Sequence, residues 1–127
     1  MVLIDTHLVL WAALAPERLP PRAMKLLATQ SSEVAFSVVS LWEVAIKSSL
    51  GRPDFQVDAP SLRQGLLDAG FTELGIRPEH VMRVADLPWV HRDPFDRLLV
   101  AQAMHEGITL LSADKTLKRY GKSVQSA

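Results

Sequence analysis

The side chains of this sequence that are best suited to chemistry are four carboxylates. Asp5 closes a short apolar run, Glu43 follows a second such run, Asp96 lies near the start of a long predicted helix, and Asp114 follows a third apolar run. Carboxylates gathered in one place repel one another, so one would be driven neutral unless a cation lay among them. Oxygen ligands suit hard divalent ions. The pattern therefore predicts a Mg²⁺ or Mn²⁺ site.

Each acidic residue also has a structural interpretation. Ser40-x-x-Glu43 fits a capping box, and Asp93-Pro94-Phe95-Asp96 fits a helix start in which either aspartate is the metal ligand and the other the cap. Asp114 fits a cap of the helix that follows it. Asp5 has no helix-capping partner at the right spacing except through Thr6 or His7. Because independent caps need not share one edge of a sheet, the four acids together favour a site.

Other chemistries find little support in the sequence. There is no cysteine, which excludes a thiolate nucleophile, a disulfide framework and thiolate metal sites. Glycine-rich nucleotide loops and a Gly-x-Ser-x-Gly nucleophile turn are absent as well. We interpret the four histidines as packing or surface residues, and Trp11, Trp42 and Trp89 as core and interface anchors.

The elements that must position the acids alternate between strand and helix. Short apolar runs predict buried strands, and longer runs with helical spacing, proline starts and glycine stops predict helices. The predicted strands are residues 2–4, 34–37, 71–76 and 108–112, with a last short strand at 123–125. The predicted helices are residues 8–14, 20–27, 40–50, 61–69, 78–87, 93–106 and 115–120. This order indicates an α/β protein, a three-layer α/β/α sandwich around a short, mostly parallel sheet, whose ligands bind beyond the carboxyl ends of the strands.

Composition sets the remaining bounds. The 127 residues suit one domain over 1–127, and 14 basic residues balance 14 acidic ones, which argues against a basic coat for non-specific duplex binding. No apolar run approaches the roughly 20 residues that span a bilayer, and the first residues do not resemble a signal peptide. We expect a cytoplasmic protein with no membrane contact.

Four sequence blocks resemble one known family. They are Leu3-Ile4-Asp5-Thr6-His7 with Trp11, then Ser40-Leu41-Trp42-Glu43-Val44-Ala45-Ile46-Lys47, then His91-Arg92-Asp93-Pro94-Phe95-Asp96-Arg97-Leu98-Leu99-Val100-Ala101-Gln102-Ala103, and Leu111-Ser112-Ala113-Asp114. Together, and in this order, they resemble a PIN domain of the VapC toxin type. The resemblance covers essentially the whole chain.

The resemblance implies a metal-dependent endoribonuclease, the toxin of a type II toxin-antitoxin pair. Asp5, Glu43, Asp96 and Asp114 would be the catalytic quartet, with the three aspartates as metal ligands for one or two Mg²⁺ or Mn²⁺ ions. The acids would orient a water for in-line attack on a phosphodiester, leaving a 5′ phosphate and a 3′ hydroxyl. Supporting or alternative ligands would be Asp93, Thr6 and Ser112.

The resemblance also implies partners. RNA phosphates would be held by local basic residues, for which Lys47, Arg92, Arg97 and Lys115 are the candidates. A small antitoxin protein would cover the acidic groove, with an arginine paired to the carboxylates. We also expect homodimers and toxin-antitoxin hetero-oligomers, because Trp89 and the apolar helices offer surface that a small domain leaves uncovered.

Two alternatives remain at this stage. An aspartate after the first strand also suits an Asp-dependent phosphatase or phosphoacceptor domain, although the second aspartate expected two residues later is replaced by His7. A catalytically silent PIN-like interaction module is the other, and it would keep its partner affinity after Asp5→Asn.

Overall fold

Five short strands form one sheet in which every neighbouring pair is parallel. The computed structural model describes residues 1–127, and its strand order is β3-β2-β1-β4-β5. The strands are β1 (Val2–Ile4), β2 (Val34–Ser37), β3 (Thr72–Leu74), β4 (Thr109–Ser112) and β5 (Val124–Ser126). The chain leaves β1 toward one edge and returns to the other side of β1 as β4. A topological switch point therefore lies between β1 and β4, where parallel sheets bind their ligands.

Six α-helices connect the strands, with short 3-10 helices between them. The helices are α1 (Thr6–Leu14), α2 (Pro21–Thr29), α3 (Val38–Ser49), α4 (Ala59–Asp68), α5 (Pro78–Val84) and α6 (Pro94–Glu106). The 3-10 helices are Pro16–Arg18, Ser31–Glu33 and Lys115–Tyr120. Every predicted strand and helix exists, although several boundaries move by two or three residues.

The sheet separates two apolar cores, as the three-layer prediction requires. Adjacent residues of β1 point to opposite faces: Leu3 packs in one core with Leu99 and Leu117, while Ile4 packs in the other with Phe36. All five side chains are fully buried. Strands covered on both faces can be apolar throughout, which explains why they appear in the sequence as continuous runs rather than alternating patterns.

Two helix starts differ from the prediction. Helix α3 begins at Val38, where Ser37 at the end of β2 accepts a hydrogen bond from the Val39 N–H (3.0 Å). The predicted capping box of Ser40 and Glu43 is therefore wrong, and Glu43 lies in the second turn instead of the first. Helix α1 begins at Thr6, directly after β1, because the Asp5 side chain caps it. In both cases a strand runs into a helix without a loop, and the last polar residue becomes the cap.

The prediction that Arg97 contacts RNA is wrong. Its side chain is buried, and its guanidinium donates to the carbonyls of Pro88, Val84 and Leu87 and to the Tyr120 hydroxyl. The guanidinium also lies 4.1 Å from the ring centroid of Trp89. The position of a residue in a helix does not by itself predict whether a long cationic side chain points to solvent or to the interior. Arg97 turns inward, where it fastens the chain before α6, and it is not available to RNA.

No helix of the structure is both long enough and apolar enough to cross a membrane.

We predict that Arg97→Lys destabilises the fold by about 2–4 kcal/mol, because an ammonium cannot reproduce the four-acceptor geometry and leaves buried carbonyls unpaired. Urea denaturation measures the change. The matched control is Arg92→Lys at an exposed position, which should stay within about 0.5 kcal/mol. Equal stabilities for both variants would contradict this role of Arg97.

Candidate active site

Asp5 lies at the switch point and is held at both carboxylate oxygens. Its Oδ1 accepts the Leu8 N–H (3.0 Å), which caps α1. Its Oδ2 accepts the Ser112 hydroxyl (2.7 Å) and the Ala113 N–H (2.9 Å) from the end of β4. The side chain is only 1% exposed. Asp5 therefore caps α1, which the sequence did not reveal, and the same hydrogen bonds fix its carboxylate at the edge of the sheet.

Ser112 connects Asp5 to Asp114. The Asp114 N–H donates to Oγ of Ser112 (2.9 Å), while the same hydroxyl donates to Asp5. Oδ1 of Asp114 accepts the Thr116 N–H (2.9 Å) and caps the 3-10 helix. Partial burial raises the pKa of Asp114, but the hydrogen bonds from Thr116 and from His91 outweigh it and lower this pKa. Asp114 is therefore a stable anion at neutral pH.

Glu43 reaches the site because α1 and α3 are joined. The Thr6 hydroxyl donates to the Ser40 hydroxyl (2.9 Å), which brings Glu43, less than one turn further along α3, beside the start of α1. Glu43 is 4% exposed. Its Oε2 accepts from Nζ of Lys47 (2.6 Å), but its buried Oε1 has no hydrogen-bond partner. An unpaired buried carboxylate oxygen is costly, so this atom lacks a donor or a cation.

Asp96 and Asp93 have different roles. Oδ1 of Asp93 caps α6 by accepting the N–H groups of Phe95 (2.8 Å) and Asp96 (3.1 Å). The Asp96 carboxylate accepts no such backbone bond and faces the other acids. Burial, followed by the nearby charges of Asp93, Glu43 and Asp5, raises the pKa of Asp96 to about 7, against a smaller opposing effect of His91. The geometry therefore favours Asp96 over Asp93 as the metal ligand.

His91 is the residue that the sequence analysis missed. Its Nε2 lies 2.9 Å from Oδ2 of Asp114 and 3.7 Å from Oδ2 of Asp96. One ligand-type atom from each of these three residues lies within 4.8 Å of the others. The only signal in the sequence was the place of His91 two residues before the cap of α6.

The acidic residues fit a hard divalent cation. The orphaned Oε1 of Glu43 and the raised pKa of Asp96 both mark a cluster that lacks positive charge. The donors are carboxylate oxygens, the ligands that Mg²⁺ and Mn²⁺ prefer. Of the predicted ligands, Asp96 and Asp114 lie with His91 in one group whose ligand atoms are within 4.8 Å of one another. Asp5 and Glu43 lie outside that group, but their charges raise the pKa of Asp96.

The remaining basic candidates lie at the rim. Lys47 pairs with Glu43 and keeps 40% of its side chain exposed. Arg92 and Lys115 are exposed, and each directly follows a residue of the site, His91 and Asp114 respectively. Cations in these positions are accessible to a bound polyanion, unlike Arg97.

A parallel five-stranded sheet with acidic side chains at its switch point defines an α/β protein with an acidic site. Comparison with known proteins identifies the family. Residues 2–123 match the PIN domain model. The chain is 29% identical over 120 residues to Ribonuclease VapC22 of Mycobacterium tuberculosis, covering 94% of this chain and 91% of that protein. The chain belongs to the PIN domain family, and the name of this relative agrees with the VapC-type resemblance of the sequence.

Solved structures share the fold. VapBC2 from Rickettsia felis, bound to a DNA fragment from its promoter, superposes with a TM-score of 0.72 at 16% identity, covering 99% of this chain and 98% of that one. DNA-bound VapBC from Salmonella typhimurium gives a TM-score of 0.68 at 12% identity, with coverage of 98% and 96%. At these identities the similarity concerns the fold.

We predict that Asp96→Asn stabilises the metal-free protein at pH 8. The pKa of Asp96 is about 7 in the folded chain against 3.8 as its ordinary value, so the folded state holds a proton that the unfolded state releases between these values. Stability therefore falls as pH rises through this window. The variant avoids that loss.

The expected gain is about 2 kcal/mol, roughly half of what the full shift implies, because Asp96 is partly screened by solvent. Thermal melts in EDTA at pH 8 and pH 4 measure it, and the gain should vanish at pH 4. A variant less stable than the wild type at pH 8 would contradict the crowding of charge at Asp96.

Proposed function

We propose that this chain is a Mg²⁺- or Mn²⁺-dependent endoribonuclease and the toxin of a type II toxin-antitoxin pair. The observation that carries the proposal is a pair of unsatisfied acidic groups: the buried Oε1 atom of Glu43, which has no hydrogen-bond partner, and the Asp96 side chain, whose pKa is raised to about 7. A structural cluster would satisfy these groups with hydrogen bonds. Membership in the PIN family and the name of the VapC22 relative support the assignment.

The chain's own residues would act as a rigid acidic frame. Asp5, Asp96 and Asp114 would hold the ion. The Ser112 hydroxyl, which donates to Asp5 and accepts from the Asp114 N–H, would fix the separation of these two residues. Thr6 supports the frame by binding Ser40 and so placing Glu43. When bound, Mg²⁺ or Mn²⁺ would activate a water for attack on the phosphodiester and balance the charge of the leaving oxygen.

RNA would reach the frame past exposed cations. Arg92 and Lys115 are exposed and directly follow His91 and Asp114 in the chain, and Lys47 lies on α3, where it pairs with Glu43. Because the formal net charge of the chain is zero, phosphate binding depends on these local residues. The cytoplasm, where RNA is abundant, is the expected location.

The partners follow from the same surface chemistry. A cluster of acidic side chains favours an antitoxin segment that inserts an arginine among the carboxylates. The two structural neighbours named above are VapBC complexes, which supports a protein partner.

A second copy of the chain would cover apolar side chains that a single chain leaves exposed, Trp89 among them. This side chain is 80% exposed, and Val81 and Met82 of α5 are 48% and 69% exposed. We predict that the protein sediments as a dimer at micromolar concentration and that Trp89→Ser shifts it toward monomer. A monomeric wild type would end the homodimer proposal.

The nuclease prediction is tested with protein freed of any partner. Total RNA incubated with Mg²⁺ or Mn²⁺ should be cut at limited sites, and EDTA should stop the reaction. Asp5→Asn and Asp96→Asn should each lower the rate about 100-fold or more, the loss typical when one preorganised electrostatic group is removed.

The matched control is Asp86→Asn, which neutralises an exposed acid outside the cluster and should cleave like the wild type. If folded wild-type protein cuts no RNA with either metal, while Asp5→Asn keeps partner binding and its effect on growth, the chain is an interaction module instead.

A further inference from the structure

His91 lies where a metal ligand would lie, but its hydrogen bonds show that the ring nitrogen facing the acids is a donor. Its Nε2 lies 2.9 Å from Asp114 and 3.7 Å from Asp96, beside two of the acids that would hold the ion. Imidazole nitrogen is a common metal ligand, but only through an unprotonated nitrogen. The question is therefore which ring nitrogen carries the hydrogen.

The backbone answers that question. The N–H of Asp93 donates to Nδ1 of His91 (3.1 Å), so the lone pair of Nδ1 is already used. A neutral imidazole has one donor and one acceptor nitrogen, which puts its hydrogen on Nε2. That N–H points at Oδ2 of Asp114 (2.9 Å). In this tautomer Nε2 has no lone pair to offer an ion.

Hydrogen bonds also fix the backbone of the segment that leads from Pro88 to His91. The backbone N–H of His91 donates to the Tyr120 hydroxyl (3.1 Å), which also accepts from Nη1 of Arg97 (3.0 Å). Arg97 in turn binds the Pro88 carbonyl (2.9 Å). Arg97 and Tyr120 therefore fix the backbone of His91, while the Asp93 N–H and the Asp114 carboxylate hold its ring.

We propose that His91 is a positioning residue that orients the Asp114 carboxylate for the metal ion and does not ligate the ion itself. The Thr116 N–H holds Oδ1 of Asp114 and the His91 Nε2–H holds Oδ2, so the carboxylate cannot rotate. Its remaining lone pairs are available to the ion. This inference rests on the proposed metal site, and it separates His91 from the ligands beside it.

Three variants separate the two ring nitrogens. His91→Gln keeps an N–H donor near the place of Nε2, His91→Asn keeps only an acceptor near the place of Nδ1, and His91→Ala keeps neither. Mn²⁺ affinity, measured by electron paramagnetic resonance of the free ion, should fall about 10–100-fold in the Asn and Ala variants, as for other partners of metal ligands. The Gln variant should stay within about threefold of wild type.

His105→Gln, at an exposed histidine on α6, is the matched control and should bind Mn²⁺ like the wild type. Thermal melts of each variant confirm folding before the titration. If His91→Gln loses as much affinity as His91→Asn, or if all three variants bind like the wild type, the positioning role is wrong.

The tautomer has its own measurement. Two-bond ¹H–¹⁵N correlation spectra of the protein should show the Nε2–H form both without metal and with Mg²⁺. Loss of the Nε2 proton on adding Mg²⁺ would make His91 a ligand and overturn the inference. Failure of the proposed function is distinguishable: a wild type that binds no Mn²⁺ overturns both, whereas one that binds Mn²⁺ and cuts RNA with unchanged His91 variants overturns this inference alone.

Discussion

The constraint on which this structure depends is the crowding of carboxylates where β1 and β4 end side by side. Asp5 and Asp114 follow neighbouring parallel strands, and α3 and α6 add Glu43 and Asp96 to the same edge. Like charges in a partly buried place are unfavourable, and here the cost appears at Asp96, whose pKa rises to about 7. The fold tolerates this strain at one edge, and a divalent cation is what would relieve it.

Structural and chemical roles coincide in these acids. Asp5 and Asp114 each cap a helix with one carboxylate oxygen, while the other oxygen accepts from Ser112 in the case of Asp5 and from His91 in the case of Asp114. The hydrogen bond that makes a carboxylate a helix cap also restricts the rotation of that carboxylate. The interpretations as cap and as ligand, which compete when a sequence is read residue by residue, are therefore compatible in the folded chain.

The layers, the parallel sheet and the position of Asp5 at the end of β1 were predictable because they follow from the apolar runs, the proline starts and the last polar residue of a strand. Glu43 was placed one turn too early because Ser37, assigned to the strand, is also the cap of α3. Arg97 and His91 were misjudged because their partners, Tyr120 and Asp114, are 23 residues away. Such contacts exist only once the tertiary structure brings α6 and the segment before it against residues 114–120.

The most direct test of the account is anomalous scattering from Mn²⁺ in crystals of the protein. The account predicts a peak at the switch point between β1 and β4, within coordination distance of carboxylate oxygens of Asp5, Asp96 and Asp114 and with no bond to Nε2 of His91. A crystal that shows no Mn²⁺ among these acids, or an ion bound by other residues, would contradict the claim that the crowded carboxylates form a metal centre.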